Sequence, residues 1–319
     1  MEKIKILFLG SNWEALHTLK VLFEDVRFSI IGVITQPDKP VGRKQEILPT
    51  EIKLFCNENN IPVFHTLGDI ERYKEAMSIF EPDVILCKSF GEIIPDFFLS
   101  YSKHGAINVH YSLLPKYRGA VPIQKAILDG ADITGISIVK MVAKLDAGPI
   151  LSQHTEQILE NDTNQSLRER LVKLTGEILP DTLYKWCNGE IITTEQDDSK
   201  ATFCWQKDIA KEVAEIDFTK LDSITIDRMT RAFIPWPVAW FMYGAIRIKL
   251  FAVVLLNDNE IIQNAKDSKI GELFTTQNRL FVKSADDKIL EITDLQEEGK
   301  NRTKPIDFIN GHKKSLLSI

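Results

Sequence analysis

Asn108 and His110 stand two residues apart at the end of the short apolar run Ala106 to His110, and Asp146 follows within Leu145-Asp146-Ala147-Gly148-Pro149. Side chains at i and i+2 of an extended strand share a face, so the amide and the imidazole are expected as neighbours. An amide donor beside an imidazole can hold a carbonyl oxygen as it turns negative under nucleophilic attack. A carboxylate from elsewhere can orient the imidazole or take a proton. These residue types predict acyl transfer, with Asn108, protonated His110 and Asp146 as the catalytic groups. Directly after His110, the run Ser112-Leu113-Leu114-Pro115 reads as a tight, mostly apolar loop that can hug a flat heterocycle while its peptide groups bond the ring edge. Arg118, closing the same stretch, has two open roles: a base-plane or phosphate contact, or an anchor of the motif loop.

A scaffold that presents such groups is written in the alternation of apolar runs. Ile4 to Leu9 reads as a strand ending at Gly10-Ser11, and Ala15, Leu16, Leu19 and Leu22 give a helix period. Strands follow at Phe28 to Ile34, Val63-Phe64, Val84 to Cys87 and Ala106 to His110, with helices at Ile52 to Asn59 and Ile70 to Phe80. This α/β alternation predicts a doubly wound, mainly parallel sheet, whose ligands gather beyond the carboxyl ends of the strands. Asn108 and His110 fall at such an end. Ile136 to Met141 and Ile150 to Ile158 read as a strand pair flanking the Asp146 turn. Asp162-Thr163 caps a helix through Leu167, Leu171, Leu174 and Ile178, in which Pro180 marks a kink or a new start. A polar stretch near Gln196 to Lys200 leads to a boundary that divides residues 1–204 from 205–319. Beyond it, a helix over Ile224 to Phe233 closes at Pro235-Trp236-Pro237. The runs Ala239 to Tyr243, Ile246 to Leu256, Leu280 to Lys283 and Ile289 to Leu295 then read as antiparallel strands of a small OB-like β-barrel. Trp236 and Trp240 are expected in its core, and Pro305 to Asn310 as a last helix ended by Gly311.

Composition sets the outer limits. With 319 residues, 44% apolar and 26% charged, the chain is expected to be globular and two-domained. Its apolar runs are too short for a membrane span, the opening Met-Glu-Lys-Ile-Lys-Ile is expected to run into a strand instead of a signal-peptide core, and a cytoplasmic monomer is expected. Cys56, Cys87, Cys187 and Cys204 lack C-x-x-C spacing, the six histidines lack metal-ligand spacing, and no metal is expected. The net charge of −6 lies in the first 200 residues, the remainder being balanced, which argues against indiscriminate grip on nucleic acid.

The Asn-x-His strand end, the Ser-Leu-Leu-Pro loop and the later Leu-Asp-x-Gly turn, in that order, resemble the 10-formyltetrahydrofolate-dependent formyltransferases. That resemblance implies a Rossmann-like first domain, Asn108, His110 and Asp146 as catalytic residues, Ser112, Leu113, Leu114 and Pro115 lining the folate site, and 10-formyltetrahydrofolate as formyl donor. Thr35-Gln36-Pro37-Asp38-Lys39-Pro40-Val41-Gly42-Arg43-Lys44 is similar to the Gln-Pro-Asp-x-Pro-x-Gly-Arg loop of the branch that formylates methionyl-initiator tRNA. Ile216-Asp217-Phe218, Arg231 to Pro237, Leu295 to Lys300 and Asp307 to Gly311 follow that branch in order. The likeness implies tRNA as acceptor, with Arg43 and Lys44 as contacts; the alternative is a nucleotide-linked amino sugar. Three departures stand out. That branch has Gly-Thr-Pro-x-Phe where this chain has Gly10-Ser11-Asn12-Trp13-Glu14, Gln45-Glu46 follow Arg43-Lys44 where the family tends to be basic, and Asp208 and Glu215 stand near expected Lys or Arg.

Overall fold

The structure, a computed structural model, describes residues 2–41, 46–313 and 316–318. Arg43 and Lys44 lie outside them. The first elements are β1 (Ile4–Gly10), α1 (Trp13–Glu24), β2 (Phe28–Ile34), β3 (Lys39–Val41), β4 (Glu46–Leu48), α2 (Glu51–Glu58), β5 (Val63–Phe64) and α3 (Ile70–Ile79). There follow β6 (Val84–Lys88), α4 (Asp96–Leu99), β7 (Ala106–His110), β8 (Arg118–Gly119), α5 (Pro122–Leu128), β9 (Ile133–Lys140), β10 (Ile150–Gln157) and α6 (Asn164–Cys187). The remainder comprises β11 (Phe203–Cys204), α7 (Ser223–Ala232), β12 (Ala239–Tyr243), β13 (Ile246–Leu255), α8 (Asn259–Asn264), β14 (Leu273–Thr276), β15 (Arg279–Lys283), β16 (Ile289–Glu297), α9 (Pro305–His312) and β17 (Leu317–Ser318).

Seven of these strands make the predicted mainly parallel sheet, in the order β10-β9-β7-β6-β1-β2-β5. The pairs β1–β2, β1–β6, β6–β7 and β2–β5 are parallel, and β9 and β10 add an antiparallel edge. Parallel strands covered on both faces favour apolar residues, as Val84 to Cys87 of β6 show, all four being buried. At the first strand-to-helix junction Gly10 is required by contact: a Cβ there would lie 2.6 Å from the Ala15 Cβ and 2.8 Å from the Lys88 carbonyl oxygen. Asn12 caps α1 by accepting from the Ala15 N–H at 3.0 Å. Helix α6 runs through Pro180 as one element, so a new start there is excluded.

The antiparallel second sheet has the order β12-β13-β16-β15-β14-β17, with β17 parallel to β14. The coarse expectation of a β-rich second part holds. Trp236 is a correction: it is 45% exposed, because Phe233 and Val238 on either side of the Pro-Trp-Pro turn take the core positions. Trp240 is half-buried, its indole N–H on the Lys211 carbonyl and Arg247 over its ring at 4.4 Å.

By internal contacts the chain divides into two units, Met1–Gly119 with Ile133–Gln157 and Glu169–Phe203, and Ala120–Asp132 with Ile158–Arg168 and Cys204–Ile319. The second unit therefore includes the segments 120–132 and 158–168 as well as the chain from Cys204 onward. Among the described residues no helix is long and apolar enough to cross a membrane, and no cluster of three or more His, Cys, Asp or Glu could hold a metal ion.

Candidate active site

Strand β7 carries Asn108 and His110 on one face, and the loop from β9 to β10 doubles back to bring Asp146 against both. Asn108 Nδ2 lies 3.5 Å from Asp146 Oδ1, and His110 Nδ1 lies 3.6 Å from Asp146 Oδ2. The structure thus brings the three sequence-predicted residues together. Asp146 sits at φ +47°, in the left-handed region that is uncommon for non-glycine residues and that aspartate tolerates better than most. Its Oδ2 accepts the Gly119 N–H at 2.8 Å. Gly148 permits the doubling back, since a Cβ there would lie 1.7 Å from the Lys140 carbonyl oxygen.

His110 is 6% exposed, and its Nε2–H donates to the Tyr117 carbonyl at 2.8 Å, which leaves Nδ1 on the Asp146 side. Burial pushes its pKa below the ordinary 6.5; Asp146 and the Tyr117 carbonyl oppose that fall, and the Lys88 cation adds to it. Removing water from the ring disfavours its charge, while the Asp146 carboxylate that Nδ1 faces favours it. Lys88, which sequence reasoning missed, is 2% exposed at the end of β6. Its Nζ lies 3.2 Å from the Tyr111 ring centroid, 3.3 Å from the Val109 carbonyl oxygen and 3.6 Å from Glu14 Oε2. Glu14, equally buried, accepts the Ser89 hydroxyl at 3.1 Å. The altered first turn was the available signal, since an acid inside a buried helix face requires a partner.

Of the two roles open to Arg118, the structure admits the anchor. Its side chain is 0% exposed, out of reach of a base or phosphate. Its Nε and Nη2 donate to Gln196 Oε1 at 3.0 and 2.8 Å, and Nη1 is 2.8 Å from Asp198 Oδ1. Gln196 Nε2 in turn donates to the Asp146 carbonyl at 2.8 Å and the Gly148 carbonyl at 2.7 Å.

The four loop residues divide by burial. Ser112 and Leu114 are buried, whereas Leu113 and Pro115 are partly exposed. Ser112 Oγ donates to the Lys116 carbonyl, Ser137 Oγ donates to the Ser112 carbonyl, the Leu114 N–H donates to Ser137 Oγ at 3.0 Å, and Gln153 Nε2 donates to the Leu114 carbonyl at 2.8 Å. The loop is thus built against β9 and β10, and the Leu114 peptide groups are engaged there.

Residues 4–183 match the family model described as formyl transferase, and residues 208–313 match the formyl transferase C-terminal domain. This chain belongs to the formyltransferase family. Among curated relatives, the methionyl-tRNA formyltransferase of Halalkalibacterium halodurans is 38% identical over 97% of this chain and 95% of its own. That of Staphylococcus epidermidis is 35% identical over 98% of each. Formyltransferase folds recur among solved structures. The sugar 3N-formyltransferase WlaRD, solved with dTDP and 5-N-formyl-THF, has a TM-score of 0.65 at 23% identity, covering 94% of this chain and all of its own. HypX from Aquifex aeolicus, in complex with tetrahydrofolic acid, has a TM-score of 0.65 at 16% identity, over the whole of this chain and 49% of its own.

Proposed function

We propose that this enzyme transfers the formyl group of 10-formyltetrahydrofolate to the α-amino group of methionyl-initiator tRNA, with Asn108, His110 and Asp146 as its catalytic residues. The observation that carries the reading is the joint one: 38% identity along nearly the whole chain to a methionyl-tRNA formyltransferase, with an amide, an imidazole and a carboxylate converging within 3.6 Å.

The amine supplies the nucleophile, so the protein supplies electrostatics and proton traffic. The amine nitrogen bonds to the formyl carbon, and the carbonyl π pair moves onto oxygen. The Asn108 amide, whose contact to Asp146 is at the long limit of hydrogen bonding, donates to that oxyanion. The proton lost by the attacking nitrogen passes to the Nδ1–Asp146 pair. It then protonates the departing N10 of tetrahydrofolate as the C–N bond breaks. In this reading Leu113 and Pro115 face the pterin, and Ser112 and Leu114 hold the loop in shape.

The acceptor assignment places Arg43 and Lys44 on the tRNA. An OB-like closure of the second sheet, a functional boundary at 204/205, a monomer, and a cytoplasmic location where aminoacylated tRNA is used complete the proposal. Incubation with 10-formyltetrahydrofolate and either methionyl-tRNA or a panel of nucleotide-linked amino sugars, followed by mass analysis of each acceptor, tests it. Formylation of methionyl-tRNA is expected. Formylation of an amino sugar alone would replace the acceptor and leave the chemistry standing.

A further inference from the structure

We infer that Gln196, held by Arg118, is a positioning residue for the reaction, fixing the main chain of Asp146 while Gly119 fixes its carboxylate. The inference rests on the reading of Asp146 as catalytic.

Every hydrogen-bonding position of the Gln196 amide is used. Its oxygen accepts two bonds from Arg118, at 3.0 and 2.8 Å, and its NH2 donates to the Asp146 and Gly148 carbonyls, at 2.8 and 2.7 Å. Guanidinium has only donors to offer and carbonyls only acceptors, so these partners dictate which way round the amide sits. Arg118 is fully buried. Its third nitrogen lies 2.8 Å from Asp198 Oδ1, and the other oxygen of Asp198 pairs with Lys144, two residues before Asp146. The Asp146 turn is therefore gripped at Lys144, Asp146 and Gly148 by a unit organised on one guanidinium.

The grip answers a need. Asp146 adopts φ +47°, in a region less favourable than right-handed or extended backbone, so its turn gains from fixed partners. Relaxation there would swing the carboxylate away from Asn108 and His110, from which it now stands 3.5 and 3.6 Å. Gly119, the neighbour of Arg118, donates its N–H to Asp146 Oδ2 at 2.8 Å. The short strand β8 thus controls the side chain directly and the main chain through Gln196. A glutamine serving only to fold its own segment would not need both donors on the turn that presents the carboxylate.

Gln196→Glu tests this in the full-length enzyme, assayed with 10-formyltetrahydrofolate and methionyl-tRNA. The variant keeps the shape and the Arg118 contact but sets a carboxylate oxygen against two carbonyl oxygens. A displacement on the order of 1 Å can cost about 10²-fold in rate. The expected result is a kcat lower by roughly 10- to 100-fold, with KM for donor and acceptor within about 3-fold of wild type. Gln196→Ala, which removes the donors without adding charge, gives the same reading should the carboxylate disturb folding, and circular dichroism monitors both. In an Asp146→Asn background the Gln196 substitution is expected to cost less than about 3-fold more, because residues acting as one unit are not additive. A wild-type kcat in both Gln196 variants, or a loss that multiplies in full onto Asp146→Asn, overturns the inference. Wild-type activity in Asp146→Asn alone overturns the catalytic reading of Asp146 instead, so the two failures are distinguishable.

Discussion

Among single residues, the proposed chemistry turns on a buried imidazole balanced between desolvation and a facing carboxylate. Burial holds His110 below its ordinary 6.5, with Asp146 and the Tyr117 carbonyl pulling upward and Lys88 downward. A histidine NMR titration of the free enzyme is expected to place its midpoint below 6.5, and a midpoint above that value would show that Asp146 wins over desolvation. Asp146→Ala is expected to fold with a near-wild-type melting temperature yet lose about 10²- to 10⁴-fold in kcat, the range for a missing acid or base. Asn108 and His110 were legible in sequence because strand geometry is local: two positions apart means one face. Their helpers were not. Gln196 lies 78 residues from Arg118 and 50 from Asp146, and no local pattern marks a glutamine whose partners are that remote.

Elements were legible wherever periodicity was strong. Strands β1, β2, β6 and β7 and helices α1, α3 and α7 follow from apolar runs and helix-spaced apolar residues. Helix α5 was missed although Pro122 stands at its first turn, a recognised start signal. Helix α8 was missed because Asn257-Asp258-Asn259 reads as a turn, whereas Asp258 caps the helix by accepting the N–H groups of Glu260 and Ile261. The tie between α1 and β6 was hidden for another reason: Glu14 and Lys88 meet only in three dimensions, 3.6 Å apart and both 2% exposed. Removing one member of such a pair strands the other in the core. Lys88→Met is expected to destabilise the enzyme by about 3 kcal/mol or more, and the Lys88→Met, Glu14→Leu double variant by less. Urea unfolding of both checks this, and a double variant worse than the single would contradict it. Gly148→Ala belongs to the same scale. Its Cβ would strike the Lys140 carbonyl, so the turn must move, and a melting temperature lowered by several degrees with lost activity is expected.

For the molecule as a whole, three histidines share one sign. His104, His110 and His154 are all held below 6.5, chiefly by burial. Unfolded, each takes up a proton near 6.5; folded, only at lower pH. Between those values the unfolded chain binds more protons, so stability falls as pH drops below 6.5. Chemical denaturation at pH 7.5 and 5.5 is expected to show the lower midpoint at 5.5, and equal midpoints would contradict it. Charge also shapes acceptor binding. With a net charge of −6, the enzyme must hold a polyanion through local cations. Replacing Arg43 and Lys44 together with Glu is expected to raise KM for methionyl-tRNA and leave folate affinity unchanged; equal effects on both would remove them from the tRNA interface. In the proposed reaction an amide, an imidazole and a carboxylate act on one reacting carbon. Asn108→Ala, preloaded with 10-formyltetrahydrofolate and mixed with methionyl-tRNA in a single-turnover experiment, isolates that step. Donor affinity near wild type with a transfer rate lower by roughly 10²-fold or more is expected, and a transfer rate matching wild type would remove Asn108 from the reaction.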